Sequence, residues 1–250
     1  MRVALIDYGA GNLHSVAKAL TAAGVPAFRT RDPAAAAEAD ALVLPGQGHF
    51  GQVMAAFAAS GFEDVVRRHL AEHRPFLGIC VGLQLLMEGS DEAPGVAGLG
   101  ILRGRVVRFP AADVSVPHMG WNALRPWGDA PLLAGIADGD HAYFAHSYLV
   151  AFDEADPAAS GVSGGAWTDH GPTRFLSALS SGSVHATQFH PEKSQRVGLR
   201  LLANFAALVE RAALVERAAP VEGDAPHERD APVEGDAPHE RDAGGEATAT

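Results

Sequence analysis

Apolar positions along the first hundred residues alternate between two periods. Val3–Ile6 is an unbroken apolar run, the pattern of a strand buried on both faces. Leu13, Val16, Ala17 and Leu20 follow at helical spacing, with Asn12 or Ser15 placed to cap the helix. Ala41–Leu44 reads as a second strand, and Val53–Phe57 and Val65–Leu70 as helical segments. Phe76–Ile79 is a third strand, and Val81–Met87 reads as the first turns of an apolar-faced helix. This alternation predicts an α/β fold, a mostly parallel sheet flanked by helices in the flavodoxin-like manner. Beyond about residue 100 the pattern changes. Leu102–Phe109, Tyr143–Val150, Phe175–Leu179 and Val184–Phe189 read as additional strands joined by turns, some antiparallel, and a last helix runs from Gln195 to about Val209.

Residues 1–210 form the globular domain of this reading, and two direct repeats follow. Ala207–Ala212 recurs as Ala213–Ala218 and can extend the last helix across 211–219. Ala219–Asp230 recurs as Ala231–Asp242, rich in Pro, Gly, Asp and Glu with one valine per copy. Such a segment cannot bury a core, so residues 220–250 are expected to be a disordered acidic tail, dispensable for activity. The tail changes how the net charge of −11 is read. Residues 219–250 hold nine acidic residues against two arginines, −7, which leaves −4 for the rest. Nothing basic is concentrated enough for nucleic acid.

A length of 250 residues suffices for one core. A single cysteine excludes an internal disulfide and suits a reducing cytosol, so a cytoplasmic protein is expected. Met1-Arg2 leads straight into a strand, which is neither a signal peptide nor a membrane span, and the longest apolar stretch, around 75–87, is too short to cross a bilayer. His227 and His239 recur in the tail, and His49, His69, His73, His141, His170 and His185 show no ligand spacing, so no metal and no cofactor are assigned. Gly9-Ala10-Gly11 is not a dinucleotide fingerprint, because His14 stands where the third glycine is required.

The lone cysteine carries the chemistry. Cys80 lies in Gly78-Ile79-Cys80-Val81-Gly82, at a strand-to-helix turn, with glycines two residues to either side. That is a nucleophile elbow, in which a Cβ at either glycine would crowd the neighbouring chain. At a helix N-terminus the macrodipole would favour the reactive thiolate. Far along the chain, an alternating segment ends in His190-Pro191-Glu192. Proline keeps such a segment extended, and residues two apart in an extended chain share a side, so the His190 imidazole could bond the Glu192 carboxylate and face a thiol with its other nitrogen. Leu42–Gly48 ends in Pro45-Gly46-Gln47-Gly48, a loop able to expose backbone N–H groups near Gly46 and Gln47. With the Val81 N–H it would make an oxyanion hole.

The three pieces in this order resemble the class I glutamine amidotransferases, over about residues 1–210. Ile6–Leu13, Pro117–Asn122, Tyr143–Tyr148 and Gln188–Ser194 narrow the resemblance to the glutaminase subunits of imidazole glycerol phosphate synthases. The resemblance implies that Cys80 attacks the amide of L-glutamine while His190, held by Glu192, carries the proton. It implies that Gln84 and the backbone at His146, Ser147 and Tyr148 hold the substrate. It further implies a separate (β/α)₈ cyclase subunit of the HisF type, joined as a heterodimer, that receives the ammonia. Asn12, Met119 and Trp121 would face that partner. Lys193, one of two lysines, is a further candidate contact. Rival readings are another ammonia-channelling glutaminase, a catalytically silent homologue, and a cysteine hydrolase on the same sheet.

Overall fold

The computed structural model describes residues 1–110, 114–151 and 160–218. The order of elements is β1 (Val3–Ile6), α1 (Leu13–Ala22), β2 (Ala27–Thr30), α2 (Pro33–Ala37), β3 (Ala41–Gly46), α3 (Phe50–Ala59), α4 (Phe62–Ala71), β4 (Phe76–Cys80), α5 (Val81–Gln84) and β5 (Gly89–Ser90). It continues with β6 (Arg105–Arg108), β7 (His118–Ala123), β8 (Arg125–Gly128), β9 (His141–His146), β10 (Tyr148–Ala151), β11 (Gly164–His170), β12 (Thr173–Ser181), β13 (Val184–Thr187) and α6 (Gln195–Ala218). The main sheet runs β2-β1-β3-β4-β13-β12-β11-β8. Its first five strands are parallel, and β12, β11 and β8 are added antiparallel, as the change of pattern in the second half predicts. Two smaller sheets, β10-β6-β5 and β7-β9, stand beside it.

The central strands are apolar because both faces are covered. β1, β3, β4 and β13 are buried at every position. Register then sets what emerges at their carboxyl ends. β4 pairs with β3 so that Gly46 lies opposite Cys80, and with β13 so that Thr187 lies opposite Ile79. The Pro45–Gly48 loop, Cys80 and the chain leading to His190 therefore leave one edge of the sheet together, where ligands bind in open α/β sheets.

Three elements differ from the sequence reading. The helix after Cys80 is the single turn α5 and does not reach Met87. The carbonyls of Leu85, Leu86 and Met87 accept instead from the N–H groups of Leu99, of Ile101 and Leu102, and of Gly100. A crossing segment thus takes the acceptors that further helix would need. Tyr143–Val150 is not one strand. It breaks at Ser147, whose carbonyl accepts from Phe109 N, and β9 and β10 join different sheets. His190-Pro191-Glu192 is not extended, since Pro191–Lys193 forms a 3₁₀ turn in which Lys193 N donates to the His190 carbonyl at 3.0 Å. The last helix runs past Val209 to Ala218, the extension through the first repeat that the sequence allows. The tail expected from 220 to 250, and residue 219, lie outside the described residues.

Elements without strong apolar periodicity were not foreseen. α2 is nearly all alanine, yet Asp32 caps it and Pro33 opens it. α1 begins as expected, with Asn12 Oδ1 accepting from Ser15 N. The loop between β1 and α1 is anchored by buried Asp7, which accepts from Gly9 N at 3.1 Å, Arg29 Nε at 2.8 Å and Arg31 Nε at 2.7 Å. Burial opposes ionisation of Asp7, but the Arg31 and Arg29 guanidinium groups hold its carboxyl below the ordinary value. Among the described residues no helix is long and apolar enough to cross a membrane.

Candidate active site

Cys80 is the last residue of β4 and has φ 55°, one of three non-glycine residues with positive φ among those described. Holding a side chain there costs roughly 1–3 kcal/mol, and such strain survives only where the surroundings over-determine it. Here they do. A Cβ on Gly82 would be driven into the Leu44 carbonyl, and one on Gly78 would meet the Gly82 carbonyl oxygen at 2.9 Å. Gly46 lets β3 pass close to Val81 in the same way. The elbow is therefore clamped between β3 and its own turn, with the thiol buried at the sheet edge.

His190 reaches the thiol from β13. Its ring lines the same cleft as Cys80, and its Nδ1 lies 2.8 Å from Glu192 Oε1. The 3₁₀ turn makes this contact by folding residues 190–192 back rather than by extending them. Burial opposes protonation of His190, but the Cys80 and Glu192 side chains beside it outweigh burial and hold its pKa well above the ordinary imidazole range. The Glu192 carboxylate is buried with Oε2 unpartnered, so the hydrogen bond that Oε1 accepts from the imidazole is where its charge acts. The backbone is stapled too. His190 N donates to the Tyr143 carbonyl at 2.9 Å. Ser194 Oγ donates to the His190 carbonyl at 2.7 Å and accepts from Tyr143 N at 2.9 Å.

Cys80, Val81, Gln47, Gln84, His146, Ser147, Tyr148 and His190 line one cleft of about 230 Å³. That is below the usual range of roughly 300–1,000 Å³ for drug-sized ligands, and it suits something as small as an amino acid. Gly48, with φ 105°, lines it next to Gln47. Gly46 is the last residue of β3, opposite Cys80, and not a wall of the cleft. Tyr8 Oη donates to the Pro45 carbonyl at 2.9 Å and so ties this loop to the β1–α1 connection.

Of the four candidate contact residues, Met119 is on the rim of the cleft and 65% exposed. Trp121 is 46% exposed, with its ring edge-on to Tyr143. Lys193 is exposed, and its Nζ lies 5.6 Å above the Tyr143 ring. Asn12 is spent as the cap of α1, which packs against the Pro191–Lys193 turn and stands apart from the cleft.

Three participants were missed in the sequence. Gln188 Nε2 donates to Cys80 Sγ at 3.7 Å, and Gln188 Oε1 accepts from Gln84 Nε2 at 3.2 Å. A donor aimed at sulfur favours negative charge there. This takes over the part expected of the helix macrodipole, which is small for a helix of one turn. Glu92 also lines the cleft, with Oε2 accepting from Phe50 N at 2.7 Å. His118 sits behind His146, its Nδ1 3.1 Å from His146 Nε2. No local pattern marks these residues, because each gains its role from a strand or loop far away in sequence.

The arrangement supplies a thiol, a base with an oriented ring, a carboxylate behind the base, and a small polar cleft. These are the parts of acyl transfer through a thioester. The profile of the family "Glutamine amidotransferase class-I" matches residues 4–208. Among curated relatives, the imidazole glycerol phosphate synthase subunit HisH of Deinococcus radiodurans is 54% identical over 204 residues, covering 81% of this chain and 92% of that one. A protein of the same name from Thermus thermophilus is 53% identical, covering 81% and 94%. That of Aquifex aeolicus is 45% identical over 212 residues, covering 84% and 99%. Among solved structures, a glutamine amidotransferase superposes with a TM-score of 0.62 at 21% identity, covering 83% of this chain and 98% of that one. The glutaminase domain of Trypanosoma brucei CTPS with bound acivicin gives 0.61 at 18% identity, covering 84% and 94%. At such identities these two likenesses speak to the fold.

Proposed function

The chain belongs to the class I glutamine amidotransferase family, and on that premise we propose that it is the glutaminase subunit of an imidazole glycerol phosphate synthase. It hydrolyses L-glutamine to glutamate and ammonia, a step that serves L-histidine biosynthesis in the cytoplasm. The observation that carries this reading is the meeting of Cys80 and His190 in a cleft sized for an amino acid, with Glu192 bonded to His190 from behind.

Cys80 attacks the side-chain amide carbon of glutamine as the thiolate, and its proton resides on His190. The oxyanion takes hydrogen bonds from the Val81 N–H and from the Gln47 end of the Pro45–Gly48 loop. Collapse breaks the C–N bond, and His190 gives its proton to the departing nitrogen, leaving a glutamyl thioester and ammonia. His190, now neutral, draws a proton from water as the water attacks the thioester. Glutamate leaves and the Cys80–His190 pair is restored. Glu192 keeps the imidazole oriented and its charged form stable through both halves. Glu92, at the cleft wall, suits the α-ammonium group of the substrate by charge. Gln84 and the backbone at Ser147 and Tyr148 complete the hold on glutamine.

A partner subunit takes up the ammonia. We assign it to a cyclase with a (β/α)₈ barrel, docked over Met119 and Trp121 with Lys193 alongside. The exposure of these apolar side chains next to the cleft mouth supports that face. The ammonia then enters a nucleotide substrate of the cyclase, yielding imidazole glycerol phosphate and an aminoimidazole-carboxamide ribonucleotide. The test is glutamate release by the purified chain, alone and with the cyclase and its nucleotide ligand. Low release alone that rises strongly with the liganded cyclase is expected. High release indifferent to the cyclase points to another hydrolase, and no release in any mixture overturns the catalytic reading.

A further inference from the structure

β7 presents two different faces. Met119 and Trp121 point outward, while His118 is buried and Asn122 half-buried against the body of the domain. On the inner side the hydrogen bonds join end to end. Asn122 Oδ1 accepts from Ala123 N at 2.8 Å, which fixes the orientation of the amide. Asn122 Nδ2 donates to the Asp169 carbonyl at 2.9 Å, and its second hydrogen faces His118 Nε2 at 3.1 Å. His118 Nε2 must then be an acceptor, so the proton of the neutral ring is on Nδ1. Nδ1 lies 3.1 Å from His146 Nε2, which must accept in turn. The His146 proton is therefore on Nδ1, and it donates to the Tyr148 carbonyl at 2.7 Å.

The same carbonyl is the meeting point with the nucleophile. It accepts a second hydrogen bond from Gln84 Nε2 at 3.3 Å. A carbonyl can only accept, so the Gln84 amide is oriented, and its other hydrogen goes to Gln188 Oε1. That leaves Gln188 Nε2 facing Cys80 Sγ. Gln84, Gln188, His118 and His146 are all buried, where reversing one donor would leave others unmatched. Stacking of His118 between Phe144 and His170 (ring centroids 4.7 and 4.1 Å away) fixes its ring plane.

We propose that Asn122 and His118 are positioning residues for Cys80: with His146 they form a donor chain that holds the Tyr148 carbonyl in place, and on that carbonyl Gln84, and through it Gln188, are aligned towards the thiol. The proposal deepens the glutaminase reading and rests on it for its kinetic consequence. Both histidines of the donor chain must stay neutral, and burial, the larger cause, together with neighbouring histidines, depresses His118 to about 4 and His146 to about 3. The trio His118, His146 and His170 is not a metal site. The facing nitrogens of His118 and His146 are bonded to each other, and among the described residues no set of three metal-binding side chains is placed to hold an ion.

The test has a spectroscopic arm and a kinetic arm, both on the full chain. Nitrogen-15 NMR of the imidazoles at neutral pH should show His118 and His146 both protonated at Nδ1 and bare at Nε2. Any other tautomer at either ring in the wild type overturns the donor chain, whatever the variants do. Asn122→Asp keeps the shape but replaces the donor with an acceptor, which forces a proton onto His118 Nε2, reverses both rings and leaves His146 Nδ1 an acceptor set against the Tyr148 carbonyl, pushing it from the place where Gln84 meets it. Asn122→Ala removes the donor without imposing the reverse. Asn122→Asp should lower kcat/KM for glutamine about tenfold or more and slow alkylation of Cys80, while Asn122→Ala should lose about threefold, the scale of one weakened buried hydrogen bond. That order is opposite to the order of shape similarity, so a role in packing alone would not produce it. Asn122→Asp matching or exceeding Asn122→Ala refutes the proposal. If the wild type with its cyclase releases no glutamate, the glutaminase reading fails, while tautomers and alkylation rates still decide the donor chain.

Discussion

At the scale of single residues, the chemistry depends on groups whose environments oppose their ordinary behaviour. Cys80 is held at φ 55° at the end of a buried strand, and His190 keeps a raised pKa despite burial because Glu192 and Cys80 face it from two sides. Replacing Cys80 by alanine should abolish glutamate release, a loss of about 10³-fold or more in the liganded complex, with folding intact by circular dichroism. Replacing Glu192 by glutamine keeps the shape of the side chain but removes the charge that raises the His190 pKa. It should lower kcat by about 10²-fold or more and move the deprotonation of His190 to lower pH, seen as a shift in the pH profile of Cys80 alkylation.

At the scale of elements, the elbow and the outer face of β7 make separable demands. Gly82 has no room for a methyl group beside the Leu44 carbonyl, so Gly82→Ala should cost more than about 3 kcal/mol in denaturant unfolding. Gly24→Ala is the control. That residue has φ 77° with nothing near its Cβ position, and it should lose only about 1 kcal/mol, the cost of the backbone conformation alone. On β7, Trp121→Ala should weaken cyclase binding by about 2 kcal/mol or more in calorimetry and change folding stability by under about 1 kcal/mol. A Trp121 that proved essential to folding and irrelevant to binding would reverse the assignment of that face.

At the scale of the whole molecule, stability against pH follows from two opposed sets of histidines. His69, His118 and His185 are depressed to about 4 and His146 to about 3, chiefly by burial. Between the ordinary histidine pKa of about 6.5 and those values, the unfolded chain binds protons that the folded chain does not, so stability falls as pH drops through that window. His190 works in the other direction. Its raised pKa contributes stability that is complete below about 6.5 and is lost as pH rises toward its folded value. Thermal unfolding should therefore peak near neutrality, with the acid limb steeper because four groups act there and one on the alkaline side. A Tm that rises from pH 6.5 to pH 4 would contradict these assignments.

Much of this was legible in the chain by itself. Unbroken apolar runs at Val3–Ile6, Ala41–Leu44 and Phe76–Ile79 mark strands covered on both faces, and the glycines around Cys80 mark a turn that tolerates no other residue. The pairing of His190 with Glu192 was legible too, though the fold achieves it with a 3₁₀ turn where an extended segment was expected. These signals are local, since period, turn sterics and near-neighbour spacing are properties of a few consecutive residues. What only the tertiary structure decided are contacts made by register across long separations. Gln188 reaches Cys80 because β13 lies beside β4, and His118 reaches His146 because β7 pairs with β9. The single turn of α5 was likewise decided from outside, by Leu99–Leu102 taking the carbonyls of Leu85–Met87 just beyond it. A hydrogen-bonding group has no partner until the fold brings one to it. Sequence therefore specifies which groups must be satisfied, and the packing of distant strands determines by which partner and with which polarity.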